Sequence, residues 1–131
     1  VLLCLAGLAH AERQDYTASV GGTTRTPNVL VYYAEDAAYV PLLDLALQLG
    51  GSGRVVSPGV AELNINGRVA TISINNPRFD AEGSSHNVSK PFLGYESEVL
   101  AARDDVAAMF KTAFGIDLAA PGTPAATDGE V

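Results

Sequence analysis

Apolar and polar positions along this chain of 131 residues change their period several times, and each change marks an element. Asn28-Val29-Leu30-Val31-Tyr32-Tyr33 is β-branched and aromatic, the composition of a strand. Glu35-Asp36 predicts a turn, and residues 38–40 the strand that pairs back. Pro41 suits the first turn of a helix, where its missing N–H costs nothing. The helix runs to about Leu49 and stops at Gly50-Gly51, which supply a left-handed cap. Leu42, Leu43, Leu45, Ala46, Leu47 and Leu49 cover it nearly all round, and only Asp44 and Gln48, four apart, give it a polar stripe. A helix with that distribution has to be wrapped by other structure.

Ala61, Leu63 and Ile65 alternate with Glu62 and Asn64, the period of a half-buried strand. Asn66-Gly67 is a two-residue hairpin signal, because both centres take positive φ. The return strand turns Ala70, Ile72 and Ile74 inward and closes at Asn75-Asn76-Pro77. Residues 80–87 read as a polar loop, residues 88–93 as a further strand, and Gly94-Tyr95-Glu96-Ser97 as a turn. A second helix is predicted over residues 103–114, with Val106, Met109, Phe110, Ala113 and Phe114 on one face. Asp104 and Asp105 fall in its first turn, where negative charge suits the helix dipole, and Gly115 caps its end. Ile116-Asp117-Leu118 offers a last short strand.

An internal echo joins these readings. Residues 38–46 (Ala38 to Ala46) enter a helix from a strand, and about sixty residues on residues 98–107 (Glu98 to Ala107) do the same. One strand-then-helix unit is used twice, which predicts an α+β fold with a mostly antiparallel sheet.

The two ends read differently. Val-Leu-Leu-Cys-Leu-Ala-Gly-Leu-Ala opens the sequence without a Met, and Ala9-His10-Ala11 has the small residues that a signal peptidase reads. Residues 1–11 are therefore expected to be the tail of a secretory signal cut before Glu12; the alternative is a buried first strand or helix. The run is too short to span a bilayer, which takes roughly 20 residues. Residues 12–27 are polar with Gly21-Gly22 and are expected to be flexible, leaving residues 28–118 as the ordered body. Residues 119–131 are rich in Pro, Ala and Thr, the composition of a linker to a further domain.

Composition narrows the function. Eight Lys plus Arg against fifteen Asp plus Glu give a net charge of −7, which argues against a nucleic-acid footprint and against docking on anionic lipid. One cysteine, Cys4, cannot form an internal disulfide or a thiolate metal cluster.

Tyr39-Val40-Pro41-Leu42-Leu43-Asp44-Leu45-Ala46 with Leu49-Gly50 resembles the signature of copper-amine-oxidase-like N-terminal domains. Leu63-Asn64-Ile65-Asn66-Gly67-Arg68-Val69 resembles the strand pair of that family, and the stretch from Ser89-Lys90-Pro91-Phe92-Leu93 to Val106-Ala107 its second strand–helix unit. The resemblance covers roughly residues 28–118 and implies a twisted antiparallel sheet of about five strands curled round a helix, with a second helix alongside. It also implies a secreted module of the bacterial envelope or periplasm, non-catalytic, standing ahead of a peptidoglycan enzyme such as an N-acetylmuramoyl-L-alanine amidase. Its partners would be cell-wall glycan or that fused catalytic domain. The family tends to carry Arg where this chain has Leu43, while Arg103 sits near the equivalent place in the second unit.

No cofactor is expected, and no catalytic or metal-ligating set. Beyond the signal run the chain offers His86 and Met109, whereas copper sites favour several imidazole and sulfur donors. Met109 reads as core, His86 as a solvated loop residue beside Ser84 and Ser85, and the pairs Glu35-Asp36 and Asp104-Asp105 as turn and helix-end chemistry. Among Tyr32, Tyr33, Tyr39, Tyr95, Phe79 and Phe92, strand alternation sends one of Tyr32 and Tyr33 outward and leaves Tyr95 in a turn. Tyr33 and Tyr95 are thus the candidate binding residues, as rings on which a sugar can stack.

Overall fold

The computed structural model describes residues 8–34 and 37–119. The chain opens with strands β1 (Leu8–Asp15), β2 (Thr17–Val20), β3 (Thr23–Arg25), β4 (Asn28–Ala34) and β5 (Ala38–Pro41), then helix α1 (Leu42–Gln48). A run of strands follows: β6 (Ser52–Ser57), β7 (Val60–Ile65), β8 (Arg68–Ser73), β9 (Arg78–Ala81), β10 (Ser84–Asn87), β11 (Leu93–Tyr95) and β12 (Glu98–Ala102). Helix α2 (Arg103–Phe114) and β13 (Asp117–Ala119) complete it. The fold is α+β, as the alternation and the echo predict, and its strands form twisted antiparallel sheets against which both helices pack.

The first sheet has five strands in the order β1-β4-β5-β12-β11. At its centre β5 runs antiparallel to β12, with Tyr39 opposite Ala102, Val40 opposite Ala101 and Pro41 opposite Leu100. The two strands that lead into helices are therefore antiparallel neighbours, each followed directly by its helix. The sequence echo is this pairing seen in one dimension.

A second five-stranded sheet, in the order β10-β9-β8-β7-β6, is a meander. Leu63, Ala70 and Ala81 pair across it, as do Ala61, Ile72 and Phe79, and all six are buried. The two sheets are tied where Ile74 bridges Phe92: the Asn75 N–H donates to the Phe92 carbonyl at 2.7 Å, and the Phe92 N–H to the Asn76 carbonyl at 3.1 Å. α1 lies between the sheets, with Leu42, Leu45, Ala46 and Leu49 at 1% exposure or less. Full burial of one such leucine is worth about 1.5–3 kcal/mol, so the wrapped helix anchors the core. α2 presents Val106, Met109, Phe110, Ala113 and Phe114 to the same core, the face read from their spacing, and Met109 is core as expected.

Residues 12–27 correct the sequence reading. They are strand, not a flexible segment: β1 pairs with β4 from Leu8 opposite Ala34 to Asp15 opposite Asn28, and β2 pairs with both β3 and β13 in a third, three-stranded sheet. Tyr16 sits where the ribbon passes from one sheet to the other, its N–H bonded to the Pro27 carbonyl at 2.8 Å. Only Tyr16, Ala18 and Pro27 of this stretch are buried, too few apolar residues to announce a strand that backbone pairing sustains.

Residues 80–87 are a second correction. They hold most of a hairpin, β9 and β10, turning at Glu82 and Gly83, whose φ values are 52° and 80°. Two successive positive φ values make a hairpin turn of the same kind as Asn66-Gly67, but Glu at the first place masks the signal. The strand expected over residues 88–93 starts later, at Leu93. Pro41, expected in the first helical turn, closes β5 and stands as the N-cap of α1. The Glu35-Asp36 turn, the apolar opening with Cys4, and residues 120–131 of the linker lie outside the described residues. Among the described residues no helix is long and apolar enough to cross a membrane.

Candidate functional site

Strand alternation in β4 settles the two neighbouring tyrosines. Tyr33 shares the core side of the first sheet with Val29 and Val31, and Tyr32 faces the other way. β1 brings His10, Glu12 and Gln14 to the Tyr33 side, again by alternation. His10 stacks on the Tyr33 ring with centroids 4.6 Å apart and planes 10° from parallel. The guanidinium carbon of Arg103, the first residue of α2, stands 5.9 Å from the same ring centre. The Tyr33 hydroxyl donates to Glu12 Oε1 at 3.3 Å, accepts from Gln14 Nε2, and lies 3.5 Å from Arg103 Nη1. Tyr33 is thus engaged at its ring and at its hydroxyl.

Tyr95 ends β11 and meets Tyr32 edge-on, centroids 5.3 Å apart at 81°. Both are half-buried over Tyr39, Leu100 and Ala102, which are themselves buried, on the outer side of the first sheet. The structure does not bring Tyr33 and Tyr95 together: they belong to opposite faces.

Two carboxylates, Glu98 and Asp105, hold backbone N–H groups of distant segments. Glu98, at the start of β12, accepts the Leu43 N–H at 2.7 Å and the Asp44 N–H at 3.1 Å, and its own neighbour Val99 at 2.9 Å. It caps α1, whose N-cap residue Pro41 has no side chain able to do so. Burial raises the Glu98 pKa, while the three N–H groups pull it back down. Sequence reasoning missed this residue, since its partners lie more than fifty positions away and no local pattern signals it. Asp105, expected in helix-end chemistry, sits in the first turn of α2 and clasps the Ser89-Lys90 backbone.

His86 is not a solvated loop residue. It lies in β10, half-buried and stacked on Phe79 with centroids 5.1 Å apart at 25°. It borders a hollow of about 270 Å³ between β10 and α2, with Asn87, Ser89, Asp105, Met109 and Thr112. The Ser89 hydroxyl donates to Asp105 Oδ2 at 3.0 Å, so the serine is paired with the carboxylate and not with the imidazole, unlike a nucleophile–base couple. A larger hollow, about 570 Å³, lies between α2 and the third sheet, walled by Ala18, Ala107, Ala108, Ile116 and Leu118. It is roomier but poor in polar groups, and the smaller hollow holds the denser chemistry. Among the described residues no three His, Cys, Asp or Glu gather as metal ligands.

Compared with known proteins, the chain matches no family model, no curated sequence and no solved structure.

Proposed function

We propose that this chain is a non-catalytic module of a secreted bacterial envelope protein, which positions a linked cell-wall enzyme, a peptidoglycan amidase in the first instance, at the wall. The observation that carries the proposal is the antiparallel β5–β12 pair with a helix issuing from each strand, because two of the three stretches of the family resemblance fall on it, the third being the β7–β8 hairpin. Val40-Pro41-Leu42 supplies the strand-to-helix step, Leu42, Leu45 and Leu49 the wrapped helix, and Asn66-Gly67 the hairpin turn. The use of Glu98 and Asp105 as backbone clasps favours a positioning role over acid–base work. Co-sedimentation of the purified chain with isolated peptidoglycan sacculi tests it. Pelleting that survives moderate salt supports wall attachment, and a chain that stays in the supernatant removes it.

A second reading is a stalk or self-association module that touches no glycan. It is favoured by the outer face of the first sheet, where Tyr32, Tyr95 and Leu93 lie partly exposed over a buried apolar layer. Light scattering across a tenfold dilution distinguishes the two: this reading requires a dimer that dissociates, or an inert monomer, and no pelleting.

A further inference from the structure

We propose that the hollow between β10 and α2 is a sugar subsite for one neutral pyranose ring. Its volume of about 270 Å³ lies just under the range of about 300–1,000 Å³ that holds drug-sized ligands, which suits a single ring. Phe79 and Met109 form an apolar floor, both nearly fully buried. Four polar side chains, those of His86, Asn87, Asp105 and Thr112, border it, with Asn87 and Thr112 exposed to solvent. His86 is backed on one face by Phe79, and its imidazole makes no hydrogen bond among the described residues. Asn87 and Thr112 likewise have no side-chain partner there, so a carboxamide and a hydroxyl border the hollow uncommitted.

Asp105 is half committed. Its Oδ2 takes the Ser89 N–H, the Ser89 hydroxyl and the Lys90 N–H, while Oδ1 takes only the Ser89 N–H, at 3.1 Å. The clasp fixes the carboxylate and leaves Oδ1 lone-pair capacity for a ligand hydroxyl. A held carboxylate, a carboxamide and a hydroxyl suit the vicinal hydroxyls of a pyranose, and the imidazole lining the hollow suits its C–H face. Asp105 and the net charge of −7 oppose an anionic sugar. The choice of N-acetylglucosamine as probe rests on the envelope reading above; the hollow and its chemistry do not.

The test is a titration of the isotopically labelled full chain with N-acetylglucosamine, and separately with glucose, followed by amide chemical shifts. Saturable shifts at His86, Asn87, Asp105 and Thr112 are expected, with Asn87→Ala and Thr112→Val each weakening binding about three- to tenfold while the rest of the spectrum stays folded. Absence of saturable shifts at these amides with both sugars up to about 100 mM overturns the proposal, since a Kd beyond that range is no recognition. So does saturation centred elsewhere, or unchanged affinity in both variants. If free sugar fills the hollow but sacculi do not pellet the chain, the subsite stands and wall positioning falls. If sacculi pellet the chain and the hollow stays silent, the reverse holds.

Discussion

Glu98 holds the N-terminus of a helix that starts more than fifty residues before it, accepting the Leu43 N–H at 2.7 Å through one carboxylate oxygen and the Asp44 N–H at 3.1 Å through the other. Glu98 opens β12, and β12 pairs with β5, the strand that runs into that helix. The cap therefore forms only when the two strand–helix units are docked, and it couples helix formation in the first unit to strand pairing with the second. A helix of seven residues is too short to persist unaided, so this coupling matters to the whole core.

Glu98→Ala removes the acceptor and leaves three N–H groups half-buried without it. Loss of a helix cap costs about 0.5–2 kcal/mol, and a 60–100-residue domain loses about 4–8 °C of Tm for each kcal/mol. Thermal unfolding followed by circular dichroism should show a drop of several degrees. An unchanged Tm would mean that solvent replaces the carboxylate at no cost.

The same residue gives the fold a pH dependence of defined sign. Burial raises the Glu98 pKa, so between the unfolded value, about 4.3, and the higher folded one the folded chain binds more protons than the unfolded chain. Stability from this group is present below the unfolded value and is lost as pH rises through the folded one. Glu98→Gln cannot titrate. The stability of wild type minus that of Glu98→Gln should fall in urea melts as pH rises above the unfolded value; a difference that grows with pH would reverse the assignment.

Tyr16 carries a hydroxyl that is buried and has no hydrogen-bond partner among the described residues. Burial pushes it up to about 12 from 10.0, against the pull of Arg103. An orphaned buried hydroxyl costs about 1–3 kcal/mol, so Tyr16→Phe should leave stability unchanged or raise it. The raised value also means that stability is lost as pH rises from about 10 towards 12. The variant should withstand higher alkaline pH, and its ultraviolet titration should lack the last phenolate step. A clear loss of stability would show that the hydroxyl has a partner.

Most of the body was legible because its signals are local. The face of α2, the Asn66-Gly67 turn and the wrapping of α1 are written in the spacing of apolar residues and in turn chemistry. The ribbon of β1 to β3 was not, since backbone pairing with neighbours holds strands that bury little beyond Tyr16 and Ala18. The site chemistry was the least legible. Glu98 and Leu43, like Asp105 and Ser89, meet through tertiary contacts without a local pattern. Alternation told that Tyr32 and Tyr33 divide between faces but not which faces outward, and the face holding Tyr95 is set by the β12 pairing of β11.

Gly51 and Gly59 make a matched pair for the last prediction. A Cβ on Gly51 would lie 2.2 Å from the Asn64 carbonyl oxygen and 2.8 Å from Ile65 Cγ1, inside the core between α1 and β7. The nearest obstacle is backbone, so β6 and β7 would have to part, and overpacking of this kind costs about 1–3 kcal/mol. A Cβ on Gly59 meets nothing within 4 Å, and its φ lies outside the left-handed region. There alanine restricts only the unfolded chain, which leaves stability unchanged or raises it by about 0.4–1 kcal/mol. Gly51→Ala should lower the urea midpoint substantially, and Gly59→Ala should hold or raise it. Equal midpoints would mean that β6 is not held against β7 at Asn64, and with it the wrapping of α1 would come into question.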